Sequence, residues 1–152
     1  MKIMKIGLHC LLSSFILINL TQISGADQEV PKEQRTQLEQ SVETIIDPYL
    51  RKAALEMVRL VVLHSQSRSN DARGKDIQDI YRASWAVYAN FLGMRETHSD
   101  REVGKSKEII ATLYLMAVKH TAWIDEQKNL SRELLLARTD VERKLAFFRG
   151  KK

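Results

Sequence analysis

Three histidines, His64, His98 and His120, are the first residues to weigh for chemistry. His120 is the one on an apolar face, sharing helical spacing with Ile109, Leu113, Met116, Ala117 and Ile124. A general base or ligand sunk into a helical bundle sits this way; so does a buried ring with one satisfied hydrogen bond. Position 123 is Trp and position 124 is Ile, so no histidine or acid stands one turn further on. Metal sites in bundles draw on Glu-x-x-His pairs, and none is present. His120 is therefore expected to be a buried polar position, with no metal site and no cofactor. His64 ends an apolar stretch, and His98 falls in a polar one.

Nucleophilic chemistry finds little support. The single cysteine is Cys10, within the first 26 residues. No serine lies in the Gly-x-Ser-x-Gly turn of a hydrolase elbow. Ser84 is on an apolar stripe, where a hydroxyl commonly bonds back to its own helix. Nineteen acids allow many carboxylate pairs, but no spacing selects one. No catalytic residue is assigned. The aromatics Tyr81, Trp85, Tyr88 and Phe91 recur at helical spacing. Such a stripe is usually core, yet Trp and Tyr are also the residues that anchor protein interfaces. Tyr81, Trp85 and Tyr88 are the candidate binding residues.

Several helices must position these groups. Leu38, Val42, Ile45 and Ile46 give residues 31–46 a thin apolar stripe. Asp47-Pro48 marks a new start, an N-cap followed by a proline in the first turn. The helix it opens, to about Ser65, is apolar over most of its circumference, which places it at the centre of a bundle. Residues 65–74 read as a loop. A third helix is expected from about Asp76 to Leu92, ended by Gly93, and a second polar loop over 94–104. A long fourth helix follows, roughly Lys105 to Gln127. Ser131 caps a final stretch with Leu134, Ala137, Val141, Leu145 and Phe148 on one face. Thr139-x-x-Glu142 has the form of a capping box, which predicts a kink near Arg138. Gly74, Gly93, Gly104 and Gly150 are all assigned to loops or helix ends. The fold class expected is all-α, a compact bundle of about five helices.

The N-terminus predicts export. Lys2 and Lys5 precede an apolar run from Ile6 to Leu20, and Ser24-Gly25-Ala26 supplies small residues at a cleavage site. Residues 1–26 read as a signal peptide cleaved after Ala26, with cleavage after Gly25 or a retained anchor as the alternatives. The run is short for a membrane span and is interrupted by His9, Ser13, Ser14 and Asn19. Residues 27–152 then form a single helical domain, periplasmic or secreted. That remainder carries 22 Lys+Arg against 19 Asp+Glu, a mild +3. It holds no cysteine, which argues against the small disulfide-framed secreted classes. Asn129-Leu130-Ser131 fits the glycosylation sequon.

Charge is uneven. Residues 143–152 carry Arg143, Lys144, Arg149, Lys151 and Lys152 and no acid. The plain reading is a solvated terminus that complements the end of the last helix; the functional one is contact with a membrane surface through Arg149, Lys151 and Lys152. Export removes most nucleic-acid targets. The function expected is protein–protein binding, as an inhibitor or immunity protein, a chaperone or a subunit of an envelope assembly. The alternatives are a small hydrolase using carboxylates with His120 or His98, and a secreted effector binding anionic membranes through the basic tail.

Overall fold

The computed structural model describes residues 29–67, 69–127 and 130–150. The signal peptide, the sequon residue Asn129 and the tail residues Lys151 and Lys152 lie outside them. The described residues form five α-helices and one short 3-10 helix, with no strand among them. Helix α1 spans Lys32–Glu43, α2 Pro48–Gln66, α3 Asn70–Thr97, α4 Asp100–His120 and α5 Arg132–Arg149; the 3-10 turn is Ala122–Glu126.

The helices run up and down in sequence order. The Val30 amide donates to Ser65 Oγ, so the start of α1 lies beside the end of α2. The indole of Trp123 donates to His64, which brings the end of α4 to the same end of the bundle. At the opposite end, the Lys107 ammonium donates to the carbonyl of Gly150, joining the start of α4 to the close of α5. Consequently α3 and α5 run parallel, and their side chains meet in register: Leu134 approaches Gly74, Lys144 approaches Ser84 and Phe148 packs on Phe91.

Helix α2 occupies the middle, as its apolar circumference requires. Asp47 caps it, accepting the Leu50 amide at 2.8 Å, with Pro48 in the first turn. Leu50, Ala54, Met57, Val58, Val61 and Val62 are buried against α1, α3 and α4. Each large aliphatic side chain buried here contributes roughly 1.5–3 kcal/mol. A smaller cluster of Ile77, Trp123 and Ile124 closes the end where α2 finishes.

The helix boundaries differ from the sequence reading at three places. Helix α3 begins six residues early and runs past Gly93 to Thr97, because Ser69 caps it and Met94 is still buried on its inner face. Helix α4 starts at Asp100, where Ser99 and Glu102 form a true capping box; it stops at His120 and tightens into the 3-10 turn. The second Thr-x-x-Glu pattern, 139–142, lies inside an unbroken α5. Thr139 donates back to the Leu135 carbonyl, and Glu142 pairs with Arg138 at 2.6 Å, so no kink forms. Gly74, Gly93 and Gly104 are thus helical, and only Gly150 marks an end.

Gly93 is solvent-exposed within α3, and a Cβ built there meets nothing within 4 Å. Gly93→Ala is expected to raise the free energy of unfolding by about 0.5–1 kcal/mol, the ordinary helical difference between the two residues. Urea denaturation followed by circular dichroism reads this directly.

Candidate functional site

The bundle brings together two polar clusters that are distant in sequence, and one of them includes the candidate binding residues. Tyr81, Trp85 and Tyr88 lie on the flank of α3 that faces α5. Tyr81 and Tyr88 are half-buried, while Trp85 keeps 46 % of its surface exposed. The rings meet edge to face, Tyr81–Trp85 at 6.5 Å and Trp85–Tyr88 at 6.0 Å between centroids. Tyr88 continues the array onto Phe147 and Phe148 of α5.

The residue that fixes this ridge is Lys144. Its ammonium lies 3.8 Å from the centroid of Trp85 and 5.3 Å from that of Tyr81. It donates to Asp140 Oδ2 at 2.5 Å and to Ser84 Oγ at 3.0 Å. Ser84 Oγ donates in turn to the Tyr81 carbonyl, and the Tyr114 hydroxyl donates to the Ser84 carbonyl at 2.5 Å. Burial lowers the Lys144 pKa, and the hydrogen-bonded Asp140 carboxylate opposes that shift. Burial pushes the Tyr114 hydroxyl far above its ordinary range. A buried ammonium over an indole gains from the ring quadrupole, by about 0.5–2 kcal/mol.

The residue types of this cluster invite comparison with a nucleophilic serine and a lysine base, which need contact at hydrogen-bond distance. The distance is right; the surroundings are not. Ser84 is fully buried, its proton is committed to the Tyr81 carbonyl, and Lys144 is ion-paired rather than neutral. The arrangement locks Trp85 in place.

The second cluster joins His64 and His120. His120 is buried at the end of α4, and its backbone carbonyl sits close enough to His64 to favour a proton there. His64 is 2 % exposed and accepts from the Trp123 indole N–H at 2.9 Å on Nε2. Its Nδ1 stands 3.8 Å from Asp76, whose carboxylate also takes the Ser67 hydroxyl. Burial is the main cause that drops the His64 pKa to about 4; Asp76 opposes it and Arg73 reinforces it. A ring so sealed, neutral and occupied by an indole is a poor base for a substrate. His98 lies at the other end of the bundle, joined to Thr97. Among the described residues, no group of three or more His, Cys, Asp or Glu side chains could hold a metal.

Two buried polar positions have partners that the sequence reading does not supply. Lys144 was grouped with the solvated basic tail, yet it is buried in α5; only Arg149 of the proposed membrane contacts is described, and it is exposed at the helix end. The signal was spacing: position 144 follows Val141 by three and precedes Phe148 by four. His64 likewise follows Val61 by three, on the inner face of α2.

The unfolded chain protonates His64 near its ordinary value of 6.5, and the folded chain only near 4. Between those values the unfolded state holds more protons, so stability is complete above pH 6.5 and falls on acidification towards pH 4. The loss from this group approaches about 3 kcal/mol at the lower limit. Urea midpoints at pH 7 and pH 4.5 should therefore separate more for the native chain than for His64→Leu; equal separations would remove His64 as the source. No protein-family model, no curated protein and no solved structure matches this chain.

Proposed function

We propose that this chain acts by binding another protein, outside the cytoplasm, through the Tyr81–Trp85–Tyr88 ridge. The observation that carries this is the state of Trp85: nearly half exposed, yet fixed from below by the Lys144 ammonium and from both sides by tyrosine edges. Binding costs less when the anchor is already ordered, and a rigid indole presents a large area with few torsions to freeze.

The reading suits an inhibitor, a chaperone or a subunit of an envelope assembly equally, since each needs a preformed apolar anchor. Export rests on the N-terminal sequence pattern. It is compatible with the described helices, none of which is long and apolar enough to cross a membrane.

Affinity capture with the tagged protein from its native envelope or medium tests the proposal, with Trp85→Ala as the paired control. The expected outcome is a stoichiometric protein partner whose affinity falls at least about tenfold in Trp85→Ala, the loss typical of an interface anchor. Helicity should be retained, while the thermal midpoint should fall by a few degrees, because the substitution also removes the ring's contacts with Lys144, Tyr81 and Tyr88. Capture that is equal with both proteins overturns the assignment of the ridge.

A further inference from the structure

At the end of the bundle away from His64, the turn between α1 and α2 leans over the first turns of α4 and leaves a cleft of about 420 Å³. Small-ligand sites commonly span about 300–1,000 Å³. Its walls are of two kinds. Ile46, 56 % exposed, and the half-buried Ile109 give it an apolar side. Arg101 and Lys105, four residues apart on one flank of α4, give it a cationic side.

That side sets two cations against one carboxylate, that of Glu102, which also lines the cleft. Arg101 and Lys105 are exposed and form no ion pair within 4 Å with a described carboxylate. Glu102 lies between them, but its carboxylate accepts the Ser99 amide at 3.1 Å as half of the capping box. That bond is the main reason its pKa is lowered, ahead of the Ser99 hydroxyl and the nearby His98 and Lys105. The 21-residue α4 also directs the positive end of its dipole here.

Ser106 supplies an independent observation. It is 2 % exposed and lines the cleft, so the little surface it keeps faces that space. Its hydroxyl makes no hydrogen bond with any described residue, unlike Thr112 and Thr121 on the same helix, which bond back to carbonyls. A hydroxyl that meets no protein acceptor and opens onto the cleft is left to water or to a ligand held there.

We propose that this cleft binds a small aliphatic carboxylate. The Ser106 hydroxyl donates to the carboxylate, Arg101 and Lys105 neutralise it, and the hydrocarbon tail lies against Ile46 and Ile109. A purely apolar ligand would leave Ser106 unsatisfied and gain nothing from the cations. A small inorganic anion would leave the isoleucines in water.

Octanoate is the probe, titrated into the purified full chain by calorimetry and by methyl NMR of the isoleucines. Saturable binding is expected, with shifts at Ile46 and Ile109. Octanol, which keeps the tail, and acetate, which keeps the charge, should each bind at least about tenfold more weakly, because each loses one of the two contributions. Arg101→Glu with Lys105→Glu should weaken octanoate at least about tenfold at an unchanged thermal midpoint, since both side chains are solvent-exposed. Ser106→Ala should weaken it about threefold to tenfold, the worth of one hydrogen bond to a charged group. The proposal is overturned by no saturable binding at millimolar octanoate, by octanol matching octanoate, by indifference to the double charge reversal, or by shifts at the Trp85 ridge instead of the cleft.

Discussion

A helix that is apolar around most of its circumference has to be enclosed, and α2 is such a helix. Its wet side is limited to Arg51, Lys52, Glu56 and Arg59, with Tyr49 and Leu63 as the apolar residues it leaves to solvent. The rest must be covered, and one neighbour cannot cover it. Helices α1, α3 and α4 therefore wrap it, and α5 then seats on α3 and α4. The up-and-down course follows from connections too short to cross the bundle: a single turn at Thr44–Asp47, three residues between α2 and α3, and two between α3 and α4.

Enclosure creates the polar problem that gives the molecule its character. Residues at inner helical spacing are buried whatever their chemistry, and the polar ones include His64, Ser84, Ser106, His120, Arg138 and Lys144. His64, Ser84 and Lys144 find partners across the bundle rather than along their own helices alone. His64 takes the indole proton of a residue 59 positions away, and Lys144 reaches a serine 60 positions away. A neutral histidine is the form that burial tolerates. A charged lysine is tolerated because its stem packs on apolar surface while its head meets Asp140 and two ring faces. Satisfying Lys144 also seats the Trp85 ring against the ammonium and between two tyrosine edges.

The two ends of the bundle are built differently. Where α2 finishes, Trp123, Ile124 and Ile77 fill the space, and Arg138 binds the 3-10 turn to α5 through Asp125 and Glu142. Where α1 finishes, nothing comparable fills the angle between its last turn and α4, and the cleft with Ser106 remains. The closed end joins the buried His64 and Trp123 to the Arg138 ion pairs. The open end sets the exposed Arg101 and Lys105 beside isoleucine.

The sequence by itself determined the helical class, the number of helices and most of the inner faces, because a 3.6-residue period and the caps at Asp47 and Ser131 act within one or two turns. It also carried the true capping box at Ser99–Glu102, overlooked in favour of the equivalent pattern at 139–142, which local rules cannot distinguish from it. Extending α3 through Gly93 needed Met94 to find a buried place, and that depends on the other helices. The same holds for function. Tyr81, Trp85 and Tyr88 were legible as a stripe, but which of them would face solvent, and that Lys144 would lie over the indole, was settled only when α5 packed parallel to α3. Spacing fixes which side of a helix a residue occupies; what stands opposite it is fixed by packing between segments that no local interaction connects.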